Sequence, residues 1–203
     1  MNKIHKFNNI LIFLATLATT CYTINYINIG ANDRLLGSTS LILVLFIPRI
    51  MKKLFKIKIT DAMELVYVIF IILAQFVGSV VDLYNHVWWY DLFTHFLSGI
   101  LTTILALVVM DWFGIYKEKN KFFNSLFMIS FTLMIASIWE FVEFASYLVT
   151  KLDIQHHLTT GVFDTMEDML IAFLGGIIVV ISYLIENKVR KNGFLKKVVS
   201  DIK

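Results

Sequence analysis

Six stretches of the chain each carry about 20 largely apolar residues, the length a helix needs to cross a hydrocarbon core of roughly 30 Å. They run approximately from Ile10 to Ile29, Leu35 to Leu54, Ala62 to Val81, Asp91 to Phe113, Phe122 to Val149 and Phe163 to Ile185. Unpaired backbone groups are too costly in lipid for anything but a helix in such runs. Composition removes the alternative of a water-soluble globule. Of 203 residues 58% are hydrophobic, only 18 are Lys or Arg and 15 Asp or Glu, and mean hydropathy is +0.75, so polar side chains are too few to cover a soluble surface. Cys21 is alone, which excludes a disulfide scaffold, and one Pro and nine Gly leave no room for a linker-rich chain. The expected fold is all-α, a polytopic membrane bundle of six helices. The second span is the weakest, because Pro48 and Arg49 end its clean apolar run at Ile47.

Basic residues orient the set, since short loops rich in Lys and Arg stay cytoplasmic. With the N-terminus inside, Lys3, Lys6, Arg49, Lys52, Lys53, Lys56, Lys58, Lys117, Lys119, Lys121 and six residues of the C-terminal tail fall on the cytoplasmic side. Only Arg34 and Lys151 fall outside. An odd number of spans would break this alternation, so both termini are expected in the cytoplasm. Lys3 and Lys6 ahead of Ile10 to Leu17 open like a secretory signal. However, Ala18, Thr19 and Thr20 before Cys21 lack the spacing of a cleavage site, and the apolar run continues to Ile29, so this stretch is read as the first span. The expected organisation is one transmembrane domain over residues 1–186 and a basic cytoplasmic tail over residues 187–203. That tail mixes Lys188, Arg190, Lys191, Lys196 and Lys197 with Phe194, Leu195, Val198 and Val199, a pattern suited to the inner leaflet.

Carboxylates follow the opposite bias. Asp33, Asp82, Asp91, Glu140, Glu143, Asp153, Asp164, Glu167 and Asp168 lie outside or in the outer half of the spans. At a rise of about 1.5 Å per residue, Glu140 and Glu143 sit on the order of 5 and 9 Å from the core midline. A lone ionised carboxylate there is costly and marks a functional position. Helical spacing groups Asp91, His95, Ser98 and Thr102 on one face of the fourth span, and Ser137, Glu140, Glu143 or Phe144, and Tyr147 on the fifth. In the sixth, Asp164 and Asp168 share a face with the small residues Ala172 and Gly175. Gln75, Ser79, Asp82 and His86 repeat the pattern on the third, so four polar faces at one depth imply an outward-opening pocket.

Trp89-Tyr90-Asp91-x-x-x-His95-Phe96-x-x-Gly99, Trp139-Glu140-x-x-Glu143 and Asp164-Thr165-x-x-Asp168 with Gly175 downstream resemble the YjdF-like family of bacterial inner-membrane proteins. The Asp-x-x-x-His-Phe element alone is also similar to VanZ-like proteins. The matching motifs cover roughly residues 89 to 176. What the resemblance implies is a fold and a multi-pass location in the bacterial cytoplasmic membrane; it brings no activity with it.

From the residues themselves, Asp91, His95, Glu140, Glu143, Asp164 and Asp168 form a ligand set for one or two divalent cations, with Zn, Mn or Mg suiting carboxylates and imidazole on rigid helices. Iron fits less well, because no Glu-x-x-His is present. Two other readings stay open: a network of protonated or hydrogen-bonded acids, and a substrate with its own cationic group. Arg34, Lys151 and the histidines cannot neutralise six acids, so protons or a cation must. His156 and His157 read as solvated loop residues, and Trp88, Trp89 and Tyr90 as an interfacial belt. Three function classes follow. In the first, a metal-assisted enzyme acts on a lipid head group or lipid-linked precursor at the outer leaflet, with His95 or Glu140 taking a proton from a bound water. In the second, a transporter or capture subunit binds a small molecule. The third is a non-catalytic assembly or sensor protein. Membrane lipid is an expected partner and nucleic acid is not, because the basic residues serve topology.

Overall fold

The computed structural model describes residues 3–151, 153–189, 193–195 and 198. The described residues are helical nearly throughout, with no strand among them. The helices are α1 (Lys3–Ile29), α2 (Leu35–Leu45), α3 (Ile47–Phe55), α4 (Asp61–Ile71, continued as a π-helix over Ile72–Val80), α5 (Leu83–His86), α6 (Tyr90–Trp112), α7 (Lys121–Thr150), α8 (His157–Thr160) and α9 (Phe163–Val189). Five helical segments are long and apolar enough to cross a membrane, and α2 with α3, bent by 47° at Phe46, makes a sixth as a broken pair. The protein is therefore an all-α polytopic membrane protein.

The bend has a covalent cause. Pro48 has no N–H to donate four residues back, which leaves the Val44 carbonyl short of a helical partner. Tyr67 on α4 supplies the missing donor, its hydroxyl 2.8 Å from that oxygen. The π-helical stretch is held in a comparable way, with the Tyr90 hydroxyl donating to Leu73 O at 3.0 Å and that of Tyr26 to Val80 O. Such hydroxyls satisfy carbonyls that irregular helix geometry exposes, which lipid could not do.

The chain divides into two compact units, Met1–Asp91 and Leu92–Lys203. In the first, α1, α2 and α4 pack around Ile12, Ala15, Tyr26, Leu41, Leu45, Val68 and Val80. Thr60 caps α4, accepting from Met63 N at 3.2 Å. At that end Glu64, 1% exposed, is clamped by Arg49 Nε at 2.6 Å and Lys52 Nζ at 2.8 Å. At the opposite end Arg34 pairs with Asp82 at 3.1 Å, and Asn85 donates to the same carboxylate at 2.7 Å.

In the second unit, α6, α7 and α9 close around Ala106, Leu107, Met110, Met128, Val179, Val180 and Tyr183. Buried Asn124 donates to Lys117 O and to the Tyr183 hydroxyl, and accepts from Lys117 N. Leu195 is buried in the same core and its N–H donates to Glu186 at 3.0 Å. Of the stretch expected as a basic cytoplasmic tail over residues 187–203, residues 187–189 continue α9. Arg190, Lys191, Lys196 and Lys197 lie outside the described residues.

Candidate functional site

α6 and α9 run side by side in the same direction, in contact through backbone. A Cβ on Gly99 would meet Ala172 O at 1.9 Å, and one on Gly175 would meet Phe96 O at 2.4 Å, so neither position admits a side chain. Small residues at such crossings are how helices approach closely in lipid. One turn before the Gly99–Ala172 contact on each helix stand His95 and Asp168, with Nε2 of His95 3.6 Å from an Asp168 carboxylate oxygen. Both side chains are buried, 8% and 3% exposed. Asp91 lies one turn ahead of His95 on the same continuous helix, whose first turn contains the boundary between the units. One ligand atom from each of Asp91, His95 and Asp168 falls within 4.8 Å of the other two.

The face of α6 that turns inward is His95, Gly99 and Thr103 rather than the expected His95, Ser98 and Thr102. Ser98 and Thr102 are half-buried and return their hydroxyls to carbonyls of their own helix. Thr103 also bonds its own helix, at Gly99 O, and its hydroxyl in addition lies 2.6 Å from that of Thr132 on α7. On α7 the buried line is Met128, Thr132, Ala136, Glu140 and Glu143, whereas Phe144 is exposed. Glu140 is 4% exposed, and its Oε2 accepts from Gln155 Nε2 at 3.1 Å. The same Gln155 nitrogen lies 3.0 Å from Glu140 O, while Glu140 Oε1 is buried and accepts no hydrogen bond among the described residues. Gln155 carries no signal in the sequence: it is a glutamine in a polar loop, and its partner is fixed only by the return of the chain after α7.

Glu140, Glu143 and Asp164 are not members of the three-residue group. Asp164 is half-buried and Glu167 exposed. Asp153 caps α8, accepting from Leu158 N at 2.9 Å, and His156 takes a left-handed conformation that turns the chain into that helix. Two polar residues of the third span's stripe have partners within the first unit: Gln75 donates to Ser40 at 2.9 Å and Asp82 holds Arg34. Of the expected belt, Trp88 and Trp89 are exposed, whereas Tyr90 is buried with its hydroxyl on Leu73 O.

Two carboxylates and one imidazole are a hard-to-borderline donor set whose charge a single divalent ion cancels. Two ligands of one tetrahedral ion with bonds near 2.1 Å stand about 3.4 Å apart. The 3.6 Å separation of His95 and Asp168 is close to that spacing. Three protein ligands leave a fourth position for water or substrate.

A multi-pass α-helical membrane protein with a carboxylate–histidine group in the first turns of α6 and α9 is the class defined by these features. The model of the family described as predicted membrane protein (DUF2238), of which the YjdF-like proteins are members, matches residues 9–188, and the chain belongs to that family. No curated protein and no solved structure matches the chain.

Proposed function

We propose that Asp91, His95 and Asp168 hold one divalent cation of the Zn, Mn or Mg class, and that the protein is a metal-dependent enzyme acting on a lipid head group or lipid-linked substrate at the outer leaflet of a bacterial cytoplasmic membrane. The convergence of the three ligand atoms within 4.8 Å carries the reading. Asp91, His95 and Asp168 would hold the ion, which would supply an activated water; Glu140, with one carboxylate oxygen not hydrogen-bonded, would take a proton from that water and return it to the alcohol that leaves as the ester or phosphoester bond is broken. Glu143 and Asp164 would serve a second ion or the substrate. The bias of Lys and Arg toward the N-terminal tail, the α3–α4 loop, the α6–α7 loop and the C-terminal tail supports cytoplasmic termini, which puts the start of α6 at the outer face.

A carrier that couples transport to protons is disfavoured by the core beyond the site. Past the Thr103–Thr132 pair the second unit is filled by Ala106, Leu107, Met110, Met128, Val179 and Val180, and the Tyr183 hydroxyl, bonded to Asn124, is the ionisable group of that core, too little for a relay from the site. Metal analysis of protein purified without chelator tests the proposal. The expected result is about one divalent ion per chain, lost in Asp168→Asn. Wild-type protein that stays metal-free after incubation with Zn, Mn and Mg would end it.

A further inference from the structure

α3 is placed unlike any other helix of the first unit. Ile47, Ile50, Leu54 and Phe55 form one exposed face, while Arg49 and Lys52 point from the opposite side to buried Glu64 on α4. α2, with 11 residues, covers about 16 Å of a hydrocarbon core of roughly 30 Å, so the broken pair turns aside well before crossing as one straight rod. Between Ile47 and Lys58 the chain carries Arg49, Lys52, Lys53, Lys56 and Lys58 and no acid. Glu64 engages two of those cations; Lys53 and Lys56 are exposed, with no ion pair among the described residues. An apolar face beside unneutralised lysines is complementary to both parts of one molecule, the acyl chains and the phosphate of an anionic phospholipid.

We propose that α3 is an interfacial helix, anchored by the Glu64 clamp, whose Lys53 and Lys56 bind the phosphate of an anionic phospholipid while Ile50, Leu54 and Phe55 lie against its acyl chains. The site is independent of the cation centre and of which face of the membrane it occupies. The clamp turns the cationic side of α3 toward the protein, which leaves the apolar side for lipid and gives the helix a fixed roll angle. Phosphatidylglycerol has the required net charge and phosphatidylcholine does not.

The test uses the full chain in detergent, with thermal unfolding followed on adding phosphatidylglycerol, phosphatidylcholine or inorganic phosphate. Phosphatidylglycerol should raise the Tm by several degrees, phosphatidylcholine by much less, and phosphate alone not at all. High salt and the double variant K53Q/K56Q should remove most of the difference, whereas K119Q in the α6–α7 loop should keep it. Equal responses to the two lipids, or a response to phosphate matching that to phosphatidylglycerol, would overturn the proposal. A second readout does not depend on how stable the lysine variants are. A spin label on Leu54→Cys in a Cys21→Ser background, reconstituted in bilayers, should report a depth at the headgroup–acyl boundary; a depth at the bilayer centre would also overturn it.

Discussion

The carbonyl oxygen of Ala172 lies 1.9 Å from where a Cβ on Gly99 would stand, and this backbone contact between α6 and α9 sets the separation of His95 and Asp168 one turn away. An alanine at 99 must push the helices apart, because the atom it meets is backbone and cannot rotate aside. Gly99→Ala should destabilise the protein by about 1–3 kcal/mol, the usual cost of overpacking. Gly175→Ala, facing Phe96 O at 2.4 Å, should cost a similar amount. Gly37→Ala meets nothing within 4 Å and should be neutral or slightly stabilising. Thermal unfolding in detergent of the three variants checks the order.

The clamp on Glu64 makes a thermodynamic cycle. Lys52→Met alone leaves Arg49 on the carboxylate and should cost no more than about 1 kcal/mol. Arg49→Met with Lys52→Met strands a buried charge and should cost about 3–5 kcal/mol, more than the two single changes summed. Adding Glu64→Gln to the double variant should recover part of the loss, because the stranded charge is gone. Denaturant or thermal unfolding of the set measures the coupling; simple additivity would show that Glu64 is solvated.

Asp82 predicts an acid limb. Burial pushes its carboxyl up, but the hydrogen bonds from Arg34 and Asn85 and the charges of Arg34 and His86 outweigh this and hold it below the ordinary value of 3.8. Its folded pKa is therefore lower than its unfolded one. The stabilisation it provides is complete well above 3.8 and is lost as pH falls through that value toward the folded pKa. Asp82→Asn should lower stability near neutral pH and flatten the loss of stability on acidification. Unfolding midpoints measured down the acid range compare the two; parallel curves would remove the ion pair from the account.

Much of this architecture is legible in the sequence, because apolar run length fixes membrane spans whatever packs beside them. Every expected span has its helical counterpart, and Pro48 marks the one that is broken, with the bend at Phe46. Asp91, His95 and Asp168 are legible as well, since i, i+4 spacing and a small-residue face depend only on helix geometry. The roll of α6 is not: Ser98 and Thr102 look polar in sequence, but their hydroxyls are satisfied by their own helix, and Gly99 decides which side meets α9. The π-helix at Ile72–Val80 is invisible because it depends on hydroxyls from Tyr26 and Tyr90, distant in the chain. Glu64 reads as an acid in a helix first turn, favoured there by the helix dipole, and only the fold of α3 reveals its two partners.

The membrane orientation proposed from charge bias has its own check. Single cysteines at Asn85 and Asp153, in a Cys21→Ser background, should react with an impermeant thiol reagent in intact cells, and one at Asn120 should not. Labelling at Asn120 with silence at the other two would invert the protein and move the carboxylate–histidine group to the cytoplasmic face.

The cation at Asp91, His95 and Asp168 is the central claim, and the metal dependence of thermal stability tests it most directly. A ligand that binds only the folded state adds RT ln(1 + [L]/Kd), about 2.7 kcal/mol at a hundredfold excess over Kd. Protons compete for the same carboxylate and imidazole atoms, so the gain must grow with pH. Chelator-stripped protein should therefore melt higher on adding at least one of Zn, Mn or Mg, by more at high pH than at low. The shift should vanish in Asp168→Asn and in His95→Gln, and Ca should give less. A Tm unmoved by every metal at every pH would contradict the account and leave a hydrogen-bonded polar core in place of a metal centre.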